Sequence, residues 1–153
     1  MKTRLMILST AAFFAVVQPA AQAVDPDPVG LFVGRVQAMK SMKQAMATIG
    51  GAVSKGETAE PAMFSYPVKM LNMASKRIAH VFPDGSQHPE SKAKPDVWSD
   101  RAGFEKAAAD AVTAAGALQA VVDSGDGSKM PEAFNGMYKA CKTCHETYRI
   151  DKK

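Results

Sequence analysis

The chain has little cysteine, few aromatic residues and no large excess of either charge. Two cysteines stand among its 153 residues, so no disulfide framework can organise the fold. Aromatic residues make up 7 %, with a single tryptophan, and no basic run is interleaved with them. That excludes the stacking and phosphate-tracking surfaces of nucleic-acid binding. No pair of alternating apolar runs joined by a turn announces a β-hairpin, and no repeat recurs at solenoid or propeller spacing. The one long apolar run lies at the very start, over residues 5–17, and is short for a bilayer span.

What is there begins with that run. Lys2 and Arg4 precede it, and Ala21-Gln22-Ala23 follows it. A positive start, an apolar centre and a small-residue cleavage site read as a secretory signal peptide over residues 1–23. The mature chain, 24–153, is one domain's worth of sequence. Removing Lys2 and Arg4 leaves 17 bases against 15 acids, so the charge falls from +4 to +2. Export without a second apolar span implies a periplasmic protein with no stable membrane insertion.

Hydrophobic periodicity predicts four helices. The first covers residues 29–49, with Phe32, Val36, Met39, Met42, Met46 and Ile49 on one face and Gly50-Gly51 as its stop. The second opens at Pro61 and carries Phe64, Val68, Leu71, Ala74 or Ser75, Ile78 and Phe82 to a break at Pro83-Asp84-Gly85. A polar stretch with three prolines, 83–97, is a long crossover. The third helix, 98–122, is alanine-rich, with Ala108, Ala111, Val112, Ala115, Leu118 and Val122 inward. Ser128 is placed to cap the fourth, near Pro131 and Glu132; its stripe is Phe134, Met137, Tyr138, Cys141, Cys144 and Tyr148. The fold class is therefore all-α: an antiparallel four-helix bundle with a long crossover between helices 2 and 3.

Both cysteines fall in one motif, Cys141-Lys142-Thr143-Cys144-His145. On a helix the two thiols lie one turn apart and the imidazole follows directly. Two such thiols can each add to a vinyl group of one porphyrin, leaving His145 to ligate the iron: the c-type haem attachment pattern. Other readings compete. A redox CxxC usually opens a helix, where the dipole favours a thiolate; this pair lies late in one. A zinc site would need a fourth ligand such as His80, His88 or a carboxylate. A disulfide closing so tight a loop would constrain little of the unfolded chain.

With Cys141-x-x-Cys144-His145-x-x-Tyr148-Arg149 at its end, Arg35-Val36-Gln37-Ala38-Met39 on its first helix, and Pro95-Asp96-Val97-Trp98-Ser99-Asp100 with Phe104 opening its third, the chain resembles class II cytochromes c, the cytochrome c-prime family. The resemblance covers nearly all of the mature chain. It implies one covalent haem c inside the bundle, tethered by Cys141 and Cys144 with His145 on the iron. It places Met39 on the distal side and implies His145/Met39 ligation, as in the low-spin branch of the family. It also implies that Arg35 pairs with a haem propionate and that Arg149 lies beside the proximal ligand. From the residues alone, Met39 is one of several core-type methionines, Met42 is a rival one turn on, and His80 offers a bis-histidine alternative. Arg35 reads equally as a solvated surface arginine, and Arg149 as a charge suited to a helix C-terminus. Met42, Phe134, Met137 and Tyr148 complete the expected haem pocket.

The expected function is a periplasmic one-electron carrier, not an enzyme, with both axial positions filled. Its partners would be other periplasmic redox proteins met in brief encounters, and it would be a monomer or homodimer. The alternative is a five-coordinate protein that binds nitric oxide or carbon monoxide. A third possibility is a haem-free helical interaction module.

Overall fold

The computed structural model describes residues 27–55 and 60–151, so the expected signal peptide lies outside the described residues. Helix α1, Pro28–Ser54, is capped by Asp27, whose carboxylate accepts from the amides of Val29 (3.1 Å) and Gly30 (3.0 Å). It does not stop at Gly50-Gly51 as expected. Gly50 is there for space: a Cβ at that position would lie 2.7 Å from Cζ of Phe134. The core face of α1 is also turned from the expected stripe. Arg35, Met42, Ala45 and Ile49 are buried, while Met39 and Met46 sit half-buried at its margins.

The second segment follows expectation more closely. A 3₁₀ turn, Pro61–Phe64, leads into α2, Ser65–Ser75, and a second 3₁₀ turn covers Ala79–Val81. Phe64, Val68, Leu71, Ala74, Ser75, Ile78 and Phe82 are all buried. The carbonyls at its end are satisfied from elsewhere in the chain. Arg101 donates to Phe82 O (2.6 Å) and Ala79 O (3.0 Å), and Trp98 Nε1 donates to Pro83 O (2.9 Å).

The expected third helix is two. A single turn, α3 (Asp96–Ser99), is followed by α4 (Arg101–Ser124), with the break at Asp100. The Asp100 carboxylate then caps α4 by accepting from Gly103 N at 3.2 Å. Gly125 closes α4 in the left-handed conformation, φ 69°. The last helix, α5, is Met130–Tyr148, entered through a 3₁₀ turn, Gly127–Lys129. Asp126, not Ser128, supplies the side-chain acceptor there.

The four long elements form an antiparallel four-helix bundle. Around the ring, α1 packs on α2, α2 on α4, α4 on α5, and α5 more lightly on α1. The core runs along the shared axis, with Ile49, Val68, Leu71, Ala115, Leu118 and Met137 fully enclosed. No helix among the described residues is long and apolar enough to cross a membrane.

Candidate functional site

The last two turns of α5 carry Cys141, Cys144 and His145, all half-buried. Both thiols are free, and both pack against the core. Burial raises the Cys141 thiol above its ordinary value; burial and the neighbouring Cys141 raise Cys144. The thiols are therefore protonated at neutral pH, contrary to what thiolate redox chemistry needs. Burial, helped by Arg149 and opposed by Asp151, lowers His145. That favours the neutral imidazole, the form with a lone pair for a metal. The zinc reading finds no support: among the described residues no group of three or more His, Cys, Asp or Glu side chains could hold a metal ion. His80 is exposed, and His88 is stacked on Phe32, centroids 4.3 Å apart.

The contact between Gly50 and Phe134 sets the register of α1 against α5. Both helices rise about 1.5 Å per residue and run in opposite directions. Eleven residues back from Gly50 is Met39; eleven on from Phe134 is His145. The two residues expected on opposite sides of the iron thus lie at one level of the bundle. Near that level Met42 is 6 % exposed; Met137, about 12 Å along α5 from His145, is fully enclosed.

Arg35, one turn before Met39, is 4 % exposed. Its Nε donates to Val81 O at 2.6 Å and its Nη2 donates to Ser86 Oγ, itself fully buried. The guanidinium lies 4.4 Å from the centroid of Phe82 and 5.6 Å from that of Trp98. Its Nη1 is buried without any acceptor. A buried charged donor left unpaired is costly, and such a fork matches a carboxylate. An unpaired donor here, with two thiols and a neutral imidazole at the same end of the bundle, is a donor set that fits a haem and its propionates. The surface-arginine reading is excluded by the burial.

Tyr148 is also buried, but its partners lie on α4. Its ring meets Phe104 edge-on at 5.4 Å, and its hydroxyl donates to Asp100 Oδ2 at 2.7 Å. Burial, with the hydrogen bond and charge of Asp100, pushes the phenol up to about 12. Arg149 is exposed and paired with Asp151 at 3.1 Å. Tyr138, expected on the inward stripe, is 56 % exposed. It borders a surface depression with Cys141, Lys142, His145 and Arg149. Ser86, Lys94 and Arg101 escaped the sequence reading, and Asp100 stood in the motif before Phe104 without a role. Their partners are distant in the chain, and only the short Asp-x-x-Gly spacing after Asp100 hinted at a cap.

Comparison with known proteins agrees with this geometry. A family model described as Cytochrome C' matches residues 32–149. A cytochrome c' of Pararhodospirillum photometricum is 29 % identical over 116 residues, covering 75 % of this chain and 92 % of that one. A cytochrome c-556 of Agrobacterium fabrum is 32 % identical over 114 residues, covering 72 % and 77 %. Among solved structures, a ferrous variant of cytochrome c' from Alcaligenes xylosoxidans with bound nitric oxide superposes with a TM-score of 0.75 at 26 % identity, covering 82 % of this chain and 97 % of that one. These matches overturn the expectation of a His/Met-ligated electron carrier. Cytochromes c' are typically high-spin and five-coordinate, and the solved relative holds a gas. The inference from Met39 failed for a physical reason: a methionine at the margin of a core packs readily whether or not it ligates anything. Matched over most of its length, the chain belongs to the cytochrome c' family and carries a single covalently attached haem c.

Proposed function

We propose that this protein binds nitric oxide or carbon monoxide in the periplasm, at a haem whose distal side is lined by apolar side chains and not ligated by the chain. The observation that supports this most directly is the likeness to a cytochrome c' solved with bound nitric oxide. When bound and reduced, the haem would supply a ferrous iron able to take up a diatomic gas. The chain does the rest. Cys141 and Cys144 would tether the macrocycle through thioethers, each S–H adding across one vinyl group. His145, neutral in its setting, is the proximal ligand. Arg35 Nη1 is the donor for a propionate, and its two other contacts hold it in place. Met39 and Met42 line the α1 side by packing, while Phe134, against Gly50, and Met137 pack further along the core from α5. Arg149 adds a positive charge beside His145 at the exposed edge. The role is binding, not turnover.

Adding carbon monoxide to the reduced protein tests this reading. Prompt formation of a complex, seen as a shift of the haem absorption, is the expected result. A reduced protein that stays low-spin and leaves the gas unbound would overturn it.

A further inference from the structure

Beyond the residues assigned above, one contact set fixes the turn of α5 that carries His145. The chain leaves α5 at Tyr148 and is at once laced to the crossover. Lys94 N donates to Tyr148 O at 2.9 Å, Ile150 N donates to Lys92 O at 2.7 Å, and Lys94 Nζ donates to Glu146 O at 2.8 Å. The two bonds from Lys94 satisfy carbonyls that a helix end otherwise leaves open. They hold the turn at its end but leave open its rotation about the helix axis. Tyr148, one turn from His145 on neighbouring parts of the same helix, supplies that constraint. Its hydroxyl donates to Asp100 Oδ2, and Asp100 is itself locked because Oδ1 caps α4 at Gly103 N. The fit is close. A Cβ on Gly103 would fall 2.5 Å from the Tyr148 hydroxyl, so only glycine leaves room for this pair. The ring is held between Asp100 and Phe104.

We infer that Tyr148, acting through Asp100, is a positioning residue for the His145 imidazole: the pair sets the azimuth of the last turn of α5 and so the aim of the proximal ligand. This rests on the proposed haem ligation by His145. The tyrosine touches neither cofactor nor gas in this role, and a hydrogen bond to a charged acceptor is strong enough to matter at a helix end that otherwise frays.

The test compares ferrous haem-loaded wild type with Tyr148→Phe, Asp100→Ser and Asp100→Asn by resonance Raman spectroscopy of the iron–histidine stretch. Tyr148→Phe should shift and broaden that band. Asp100→Ser keeps an α4 cap but cannot reach the phenol, so it should give the same change, with no further change in the double variant. Asp100→Asn keeps both the cap and a partner for the phenol and should restore the wild-type band. Amide exchange at residues 145–148 should quicken roughly tenfold in Tyr148→Phe. Faster exchange with an unmoved band in both Tyr148→Phe and Asp100→Ser would show a purely structural tyrosine and overturn the inference while leaving the gas-binding proposal intact. A wild type without an iron–histidine band would overturn both.

Discussion

Helix α5 lies between two walls of different chemistry. On one side α4 offers Phe104, Ala108, Ala111, Ala115, Leu118 and Val121, and no methionine occurs between Arg101 and Ser124. Alanine has no side-chain rotamers to fix and lets backbones approach closely, and α4 is the helix against which α5 packs most extensively. On the other side α1 presents Met39, Met42 and Met46 with the buried Arg35, and it meets α5 only lightly. Methionine is unbranched and fills irregular space, so this wall can conform to a bulky guest. The contrast separates two tasks that one helix must perform. The α4 seam fixes where α5 stands, and the α1 side is adaptable at the level of Cys144 and His145.

The comparison can be broken most severely by removing the tether. Cys141→Ser with Cys144→Ser should abolish covalent haem entirely, read as apo mass and loss of visible absorbance after denaturation. Retained covalent haem would displace the attachment from α5. Next in size are changes to the walls themselves. Ala115 is fully enclosed on α4, with its carbonyl accepting from Asn72 of α2, so Ala115→Leu overpacks the core behind that wall and should cost about 1–3 kcal/mol in denaturant unfolding of the haem protein. Met42→Leu, on the other wall, conserves volume and should cost less than about 1.5 kcal/mol. Equal losses would mean that the two walls do not differ in rigidity.

The unequal legibility of the same two walls has one physical cause, the sequence distance between partners. The inward faces of α2 and most of α4 could be read because a periodic apolar stripe is local, though Val121 is buried where Val112 and Val122 were expected, and Cys141, Cys144 and His145 could be read from their spacing. On α1, Arg35 broke the stripe: a cation is assigned to solvent unless its partners are known. Its partners, Val81 O and Ser86 Oγ, lie 46 and 51 residues away. Gly50-Gly51 looked like a helix stop because glycine lowers helix propensity, yet the ring that Gly50 admits belongs to Phe134 on another helix. The split of the third helix at Asp100 was hidden in the same way, since that aspartate serves α4 and Tyr148 together.

A smaller effect should separate the walls by pH. Tyr148 sits on the α4 side with its phenol raised from an ordinary 10 to about 12 by burial and by Asp100. The folded state holds this proton more tightly than the unfolded state. The associated stability is complete below about pH 10 and is lost as the pH rises through about 12. The stability advantage of wild type over Tyr148→Phe should therefore shrink across that interval in urea titrations. A constant difference between the two proteins would mean that the phenol is not perturbed as its setting requires.

The smallest effect is expected from Met39→Leu, and its smallness is informative. Met39 is half-buried on the adaptable wall, level with His145, where a thioether could either pack or ligate. Leucine keeps the volume but removes the sulfur, so packing and ligation predict different outcomes. If Met39 only packs, the spin state, the reduced absorption spectrum and the rate of carbon monoxide uptake should all be unchanged, and stability should fall by less than about 1.5 kcal/mol. If sulfur were bound to iron, its removal would convert a low-spin spectrum to a high-spin one and open the metal to gas. A null result at Met39, beside the complete loss at Cys141 and Cys144, would locate the bonds to the haem on α5 and leave α1 with the supporting work of shape and charge.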